Sequence, residues 1–390
     1  MMDVQEVAKK YGEYQVKMRR YFHENPELSE KEFNTSKVVK EELDKIGVPW
    51  VPCGLKTGVL ATIKGKKPGK TILLRGDMDA LSVTEDTGLP FTSKNPGVMH
   101  ACGHDCHISM MLTAAHILND MKDELCGTVK MAFQPAEEVA TGAPSMVEQG
   151  ALDGVDGCFA MHVWFDVDAG HISCDAGPRM GGANKFVINI TGKGGHAAEP
   201  QECVDAAVVQ AAVVNNLQTV VSRHFSPMDP VVLTIGEVSA GERWNVVPEK
   251  ARLAGTTRYF KKEINTELPK VIDKIAQDTA AAFGAKAETE NIVLCPPVIN
   301  DEHMAQVVRE ASRKVIGEDA PVSRPGTMGG EDFAFFMDKV PGAVALLGIR
   351  NEACGAVYAQ HSCHYTVDES ALLGGAMLYA QTALDFNAGK

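Results

Sequence analysis

Within nine residues, Met99-His100-Ala101-Cys102-Gly103-His104-Asp105-Cys106-His107 offers three histidines, two cysteines and a carboxylate. One glycine separates Cys102 from His104, so the backbone can bend tightly and bring a thiolate and an imidazole to one point. That pair suits a borderline-soft divalent metal such as zinc, manganese, cobalt or nickel. A buried thiol beside surface histidines is the plainer reading of this stretch alone. Further ligand-type residues shift the balance: Glu138, His162 and His361 recur later in the chain. Five donors exceed what one tetrahedral ion needs, and with a bridging thiolate or water they suit two cations about 3.5–4 Å apart, the arrangement of metal-assisted hydrolysis. Glu137, next to Glu138, is then free to face the water between the metals as general base, and later to act as acid for a leaving amine. Asp79, in Gly76-Asp77-Met78-Asp79, can support a ligand from behind.

The elements that must position these groups follow from periodicity. Apolar spacing predicts helices over 4–22, stopped by Pro26, and over 35–46, closed by Gly47. Strands are predicted over 58–64, 71–75, 128–134 and 158–163, and a helix over 105–120. Asp79, Glu137, Glu138 and His162 then fall at carboxyl ends of strands, where sites form in parallel sheets. His107 and His116 read as structural rather than ligating. From 183 to 294 the order becomes β-α-β-β-α-β, a ferredoxin-like split unit. The expected fold is therefore α/β. A catalytic domain with a mostly parallel sheet (1–182 and 295–390) carries an inserted lid and dimerisation domain (183–294). Helix and strand alternation resumes after 298 and ends in a helix over 368–386.

Composition narrows the function. The 390 residues are 45% hydrophobic and 23% charged, as in a globular protein, with a formal charge of -13. That charge argues against nucleic acid or an anionic membrane as partner. No apolar run approaches the length of a membrane span. Ten cysteines without a secretory signal or a C-x-x-C pair read as reduced thiols in a cytoplasmic protein. Gly192-x-Gly194-x-x-Ala197 formally fits a dinucleotide loop, but Pro200 interrupts it and no acidic partner follows. Serine-hydrolase, zincin and phosphate-loop motifs are missing.

These residues resemble the aminoacylase and carboxypeptidase-like metal amidohydrolases, related to carboxypeptidase G, in the branch of hippurate hydrolase, auxin-conjugate (indole-acetyl-amino-acid) hydrolases and N-acyl-amino-acid deacetylases. The resemblance runs through Arg19-Arg20-Tyr21-Phe22-His23-Glu24-Asn25-Pro26, Arg75-Gly76-Asp77-Met78-Asp79, residues 99–104, Gln134-Pro135-Ala136-Glu137-Glu138 and Met161-His162-Val163-Trp164. It continues in Gly192-Lys193-Gly194-Gly195-His196, Asn245-Val246-Val247-Pro248, Gly330-Glu331-Asp332-Phe333 and His361-Ser362. It implies Cys102, His104, Glu138, His162 and His361 as ligands of two divalent metals, the cysteine bridging. It further implies Glu137 as base and Asp79 as support. His196 would stabilise the oxyanion, and Asn245 and Arg258 would bind substrate, Arg258 by pairing with its carboxylate. The implied reaction cleaves N-acetyl, benzoyl or aryl-acetyl amino acids to a carboxylate and a free amino acid. The implied assembly is a homodimer or higher homo-oligomer through the insert. Cys106, Ser82, Gly329 and His364 depart from the usual pattern, and His364 competes with His361 as ligand. The alternatives are a metallo-dipeptidase or carboxypeptidase, and a thiol-rich metal-binding protein without turnover.

Overall fold

The computed structural model describes residues 3–390 and resolves into two compact units. Of the described residues, the first comprises 3–179, Ile299–Pro325 and Asp332–Lys390; the second comprises Met180–Val298 and Gly326–Glu331.

The first unit is built on an eight-stranded sheet. Its strands are β1 (Trp50–Pro52), β2 (Val59–Lys64), β3 (Lys67–Asp77), β4 (Cys126–Gln134), β5 (Gly157–Asp168), β6 (Ile172–Ser173), β7 (Pro321–Val322) and β8 (Gly342–Arg350). They lie in the order β1-β2-β4-β3-β5-β8-β6-β7. The central β4, β3, β5 and β8 run parallel, and antiparallel pairing is confined to the flanks. The expected α/β class with a mostly parallel sheet is what the chain adopts. Central strands of such a sheet are covered on both faces, which is why β3 and β5 read as continuous apolar runs. Ile72, Leu73 and Leu74 are fully buried, as are Phe159, Ala160 and Met161.

Helix α1 (Gly12–Glu24) follows a shorter helix and a 3-10 turn at Lys9–Tyr11. The single helix expected over 4–22 is thus interrupted at Lys9–Tyr11, just before Gly12, a residue that weakens helix continuity. Helix α2 (Phe33–Ile46) ends at Gly47, which takes φ 76° and caps the last turn through its N–H. Helix α3 (His104–Asp120) is buried on all sides through its first three turns. It therefore sits in the core and delivers polar side chains where water does not reach. The chain closes on α4 (Leu372–Asn387), entered through a 3-10 turn at Glu369–Ala371 that Asp368 caps.

The second unit has its own core. Its strands Gly182–Thr191, Val231–Ala240, Lys250–Tyr259 and Lys286–Cys295 pair antiparallel in the order second-third-first-fourth. Helices Ala206–Thr219 and Lys262–Ala282 complete the β-α-β-β-α-β order. Phe186, Ile188 and Ile190 alternate along one strand, and Val209, Val213 and Leu217 recur every fourth residue on a helix. Burial of each such aliphatic side chain contributes about 1.5–3 kcal/mol. Among the described residues, no helix is long and apolar enough to cross a membrane.

Candidate metal centre

Three strand ends and a helix start converge in the first unit. The pairing of β3 with β4 ends at Asp77 opposite Gln134, so the next residues, Asp79 and Glu137-Glu138, leave the same sheet edge. His162 lies within β5 rather than at its end, because β5 runs on to Asp168. It stands two residues past Ala160, where pairing with β3 stops. His104 is the first residue of α3, and Gly103 before it takes φ 93°. A Cβ on Gly103 would lie 2.4 Å from Val163 Cγ2, so only glycine makes this turn without strain.

The five donors expected from the sequence gather here. The ligand atoms of Cys102, His104 and His162 lie within 4.8 Å of one another, as do those of Cys102, Glu138 and His361, and those of His104, Glu137 and Glu138. Cys102 Sγ is 3.4 Å from His162 Nε2, and His361 Nε2 is 3.6 Å from Glu138 Oε1. Backbone carbonyls orient the two buried imidazoles. His104 Nδ1 donates to the Asp79 carbonyl at 2.8 Å, and His162 Nδ1 donates to the Val163 carbonyl at 2.7 Å. Each ring thereby turns an Nε2 lone pair toward the cluster, the geometry of a metal-ligating histidine.

Asp79 holds the opposite wall. Its Oδ1 and Oδ2 accept the backbone N–H groups of Glu137 and Glu138, each at 3.1 Å, and Ser29 Oγ donates to Oδ2 at 2.6 Å. Glu32 accepts the Ala136 N–H at 2.9 Å and the Thr57 hydroxyl at 2.8 Å. These bonds hold Ala136 in the left-handed region, φ 53°, immediately before the two glutamates. His361 is left-handed as well, φ 69°. Its N–H donates to the Ala101 carbonyl at 2.8 Å, and Gln360 Nε2 donates to the Val163 carbonyl at 2.8 Å. Strained non-glycine backbone persists where surrounding bonds over-determine it, and functional sites are where it collects.

The electrostatics call for positive charge. Burial pushes the Cys102 thiol well up, and the Glu138, Glu137 and Asp77 carboxylates push it further. Burial raises the Glu138 carboxyl despite His104 and His361 nearby. At His104 burial pulls the other way, yet Asp77, Asp79 and Glu138 outweigh it and lift the imidazole to about 10. Burial, reinforced by His107, holds His162 well below the ordinary histidine value. Among the described residues, His104 Nε2 and Glu138 Oε1 are buried without a hydrogen-bond partner. Orphaned buried atoms cost about 1–3 kcal/mol each. A thiol, two imidazole lone pairs and unscreened carboxylates fit divalent cations, which would satisfy both orphans and offset the negative charge.

The remaining expected residues fall elsewhere. His364 does not join the donors: its Nδ1 donates to the Asp86 carbonyl at 2.6 Å. In the second unit, His196 and Asn245 are brought together: strand Gly195–His196 pairs with Val246–Val247, and the Ala197 N–H donates to the Asn245 carbonyl at 3.4 Å. His196 is exposed. Arg258 lies at the other end of the strand Lys250–Tyr259, paired with Ala183, and its Nη1 donates to the Thr257 carbonyl at 3.0 Å. Sequence reasoning missed Glu32, Ser29 and Gln360, whose positions carry no motif of their own. It also underrated Asp77, whose alternation with Arg75 and Asp79 was the available signal.

Fold and donor set together define a metal-dependent hydrolase. The model of the family "Peptidase family M20/M25/M40" matches residues 73–385. N-acetylcysteine deacetylase of Bacillus subtilis is 39% identical over 95% of this chain and 96% of its own. Thermostable carboxypeptidase 1 of Saccharolobus solfataricus is 37% identical over 99% and 97%. IAA-amino acid hydrolase ILR1-like 4 of Arabidopsis thaliana is 37% identical over 96% and 86%. Among solved structures, the Bacillus subtilis YXEP protein, a dinuclear metal binding peptidase from the M20 family, superposes with a TM-score of 0.86 at 35% identity, covering 97% of this chain and 99% of that one. The chain belongs to peptidase family M20/M25/M40 and is an amide-bond hydrolase of that family.

Proposed function

We propose that this protein hydrolyses the amide of N-acyl amino acids, with acetyl, benzoyl or aryl-acetyl groups as the acyl part, releasing a carboxylate and a free amino acid. The carrying observation is the convergence of Cys102, His104, Glu138, His162 and His361, with Glu137 beside them, at one sheet edge. These five would hold two divalent ions, and zinc, manganese, cobalt and nickel all suit the donors. When bound, the ions supply Lewis-acid polarisation and make water more acidic. Glu137 takes the proton from the attacking water and passes it to the departing amine, the general acid–base role its place beside Glu138 allows. Asp79 keeps the Glu137 and Glu138 backbone in place and fixes His104, so the base does not wander.

In this reading the second unit is a lid. His196 stabilises the oxyanion, Asn245 lines the substrate site, and Arg258 pairs with the amino-acid carboxylate. His196 follows the end of the strand Gly182–Thr191 that pairs with Lys250, whereas Arg258 pairs with Ala183 at that strand's other end, a separation that supports their serving one small substrate from two different copies. That supports a homodimer formed through the second unit. The location we propose is the cytoplasm, where the ten cysteines would stay reduced.

A second reading, carboxypeptidase or dipeptidase activity, is favoured by the likeness to thermostable carboxypeptidase 1. One experiment separates them. Protein loaded in turn with each of the four metals is incubated with acetyl-, benzoyl- and indole-acetyl-amino acids and with dipeptides, and free amine is assayed. Preferred cleavage of the acyl amino acids is the expected result. Preference for dipeptides would establish the second reading, and no amine from any substrate would remove both.

A further inference from the structure

His107 is not one of the five donors, yet its ring lies against two of them. Its centroid is 5.4 Å from that of His104, close to stacked, and 4.8 Å from that of His162, edge to face. Hydrogen bonds assign each of its nitrogens one task. The Val163 N–H donates to His107 Nε2 at 3.0 Å, so that nitrogen carries the lone pair. The ring proton therefore sits on Nδ1 and is donated to Asp77 Oδ1 at 2.5 Å. Asp77 Oδ2 in turn accepts from Arg75 Nη1 at 2.5 Å, and all three side chains are fully buried. The trio Asp77, His104 and His107 offers ligand-type atoms within reach of one another. However, both His107 nitrogens are engaged, so this trio is not a third cation site.

Val163 links this chain of bonds to the donors. Its N–H is held by His107, and its carbonyl accepts His162 Nδ1. The residue that fixes the His162 tautomer is thus itself fixed by His107. We propose that His107 is a positioning residue: backed by Asp77, it sets Val163 and through it the direction of His162, while its face braces His104. This inference rests on the reading of the site as a metal centre.

Two substitutions divide the role. In His107→Asn the amide nitrogen can replace Nδ1 toward Asp77, but the acceptor for Val163 is lost. In His107→Gln the longer side chain returns an acceptor to the position of Nε2. Cobalt affinity is measured by competition with a chelator, together with kcat and KM and the melting temperature of the metal-free protein. His107→Asn should bind cobalt roughly 10–100-fold more weakly, the effect usual for partners behind a ligand. Its kcat should fall more than its KM changes, and His107→Gln should recover most of both. Cobalt affinity equal to wild type in both variants would overturn the proposal, whatever happens to the melting temperature.

A second measurement needs no variant. In wild-type protein with ring-labelled histidines and cadmium-113, coupling should appear at His104, His162 and His361, and His107 should stay protonated on Nδ1 with and without metal. Cadmium coupling at His107 would make it a ligand and overturn the proposal. Wild-type protein that takes up no metal would instead overturn the metal-centre reading, and the inference with it.

Discussion

The sheet edge of the first unit and the second unit both carry chemically capable residues, but they hold them differently. Around Cys102 the side chains are buried and wired to backbone, carboxylates crowd, and the thiol and imidazoles are driven far from their ordinary ionisation. His196 sits exposed on a two-residue strand, and Trp244 beside Asn245 is 91% exposed. The first arrangement is preorganised by folding and is expensive to leave without cations. The second is far less buried, and under the proposed function its residues act only when a substrate arrives. Preorganisation around charge is what a reacting centre requires, whereas a mobile contact suits binding and closure.

Substitutions can break this contrast, beginning with the largest effect. Cys102→Ala should abolish stoichiometric metal binding and bring activity to background, read by metal analysis after dialysis. Glu137→Gln should keep the metal and lower kcat by about 10²–10⁴-fold; an unchanged kcat would remove it as the base. His196→Ala should lower kcat by about 10²–10³-fold with no change in metal affinity, as loss of an oxyanion donor does. If it instead lowered metal content, the two regions would not be separable as argued. Gly103→Ala forces a side chain into Val163 at positive φ and should cost about 2–4 kcal/mol in urea unfolding. Trp244→Ser, at an exposed position, should change stability by less than about 0.5 kcal/mol.

Much of the site was legible because strand ends and ligand-type residues coincide in the sequence. Pro135 after an apolar run placed Glu137 and Glu138 at a sheet edge, and the period of 108–118 put His104 at a helix start. The interruption at Lys9–Tyr11 was less visible, since apolar spacing continues through it and only Gly12 marks the break. The extension of β5 to Asp168 was not visible either: past Val163 the burial becomes mixed, while the parallel pairing with β8 continues. Glu32 gave no signal, because its partners Ala136 and Thr57 are remote in sequence.

The sequence by itself determined the kinds of ligand, the α/β alternation and the β-α-β-β-α-β order of the second unit, since each depends on local periodicity or residue chemistry. Only the tertiary structure decided which nitrogen of His104 and His162 faces the cluster and that both nitrogens of His107 are engaged. Those choices are set by hydrogen bonds between segments far apart in the chain, and no local pattern records a partner that folding alone brings near.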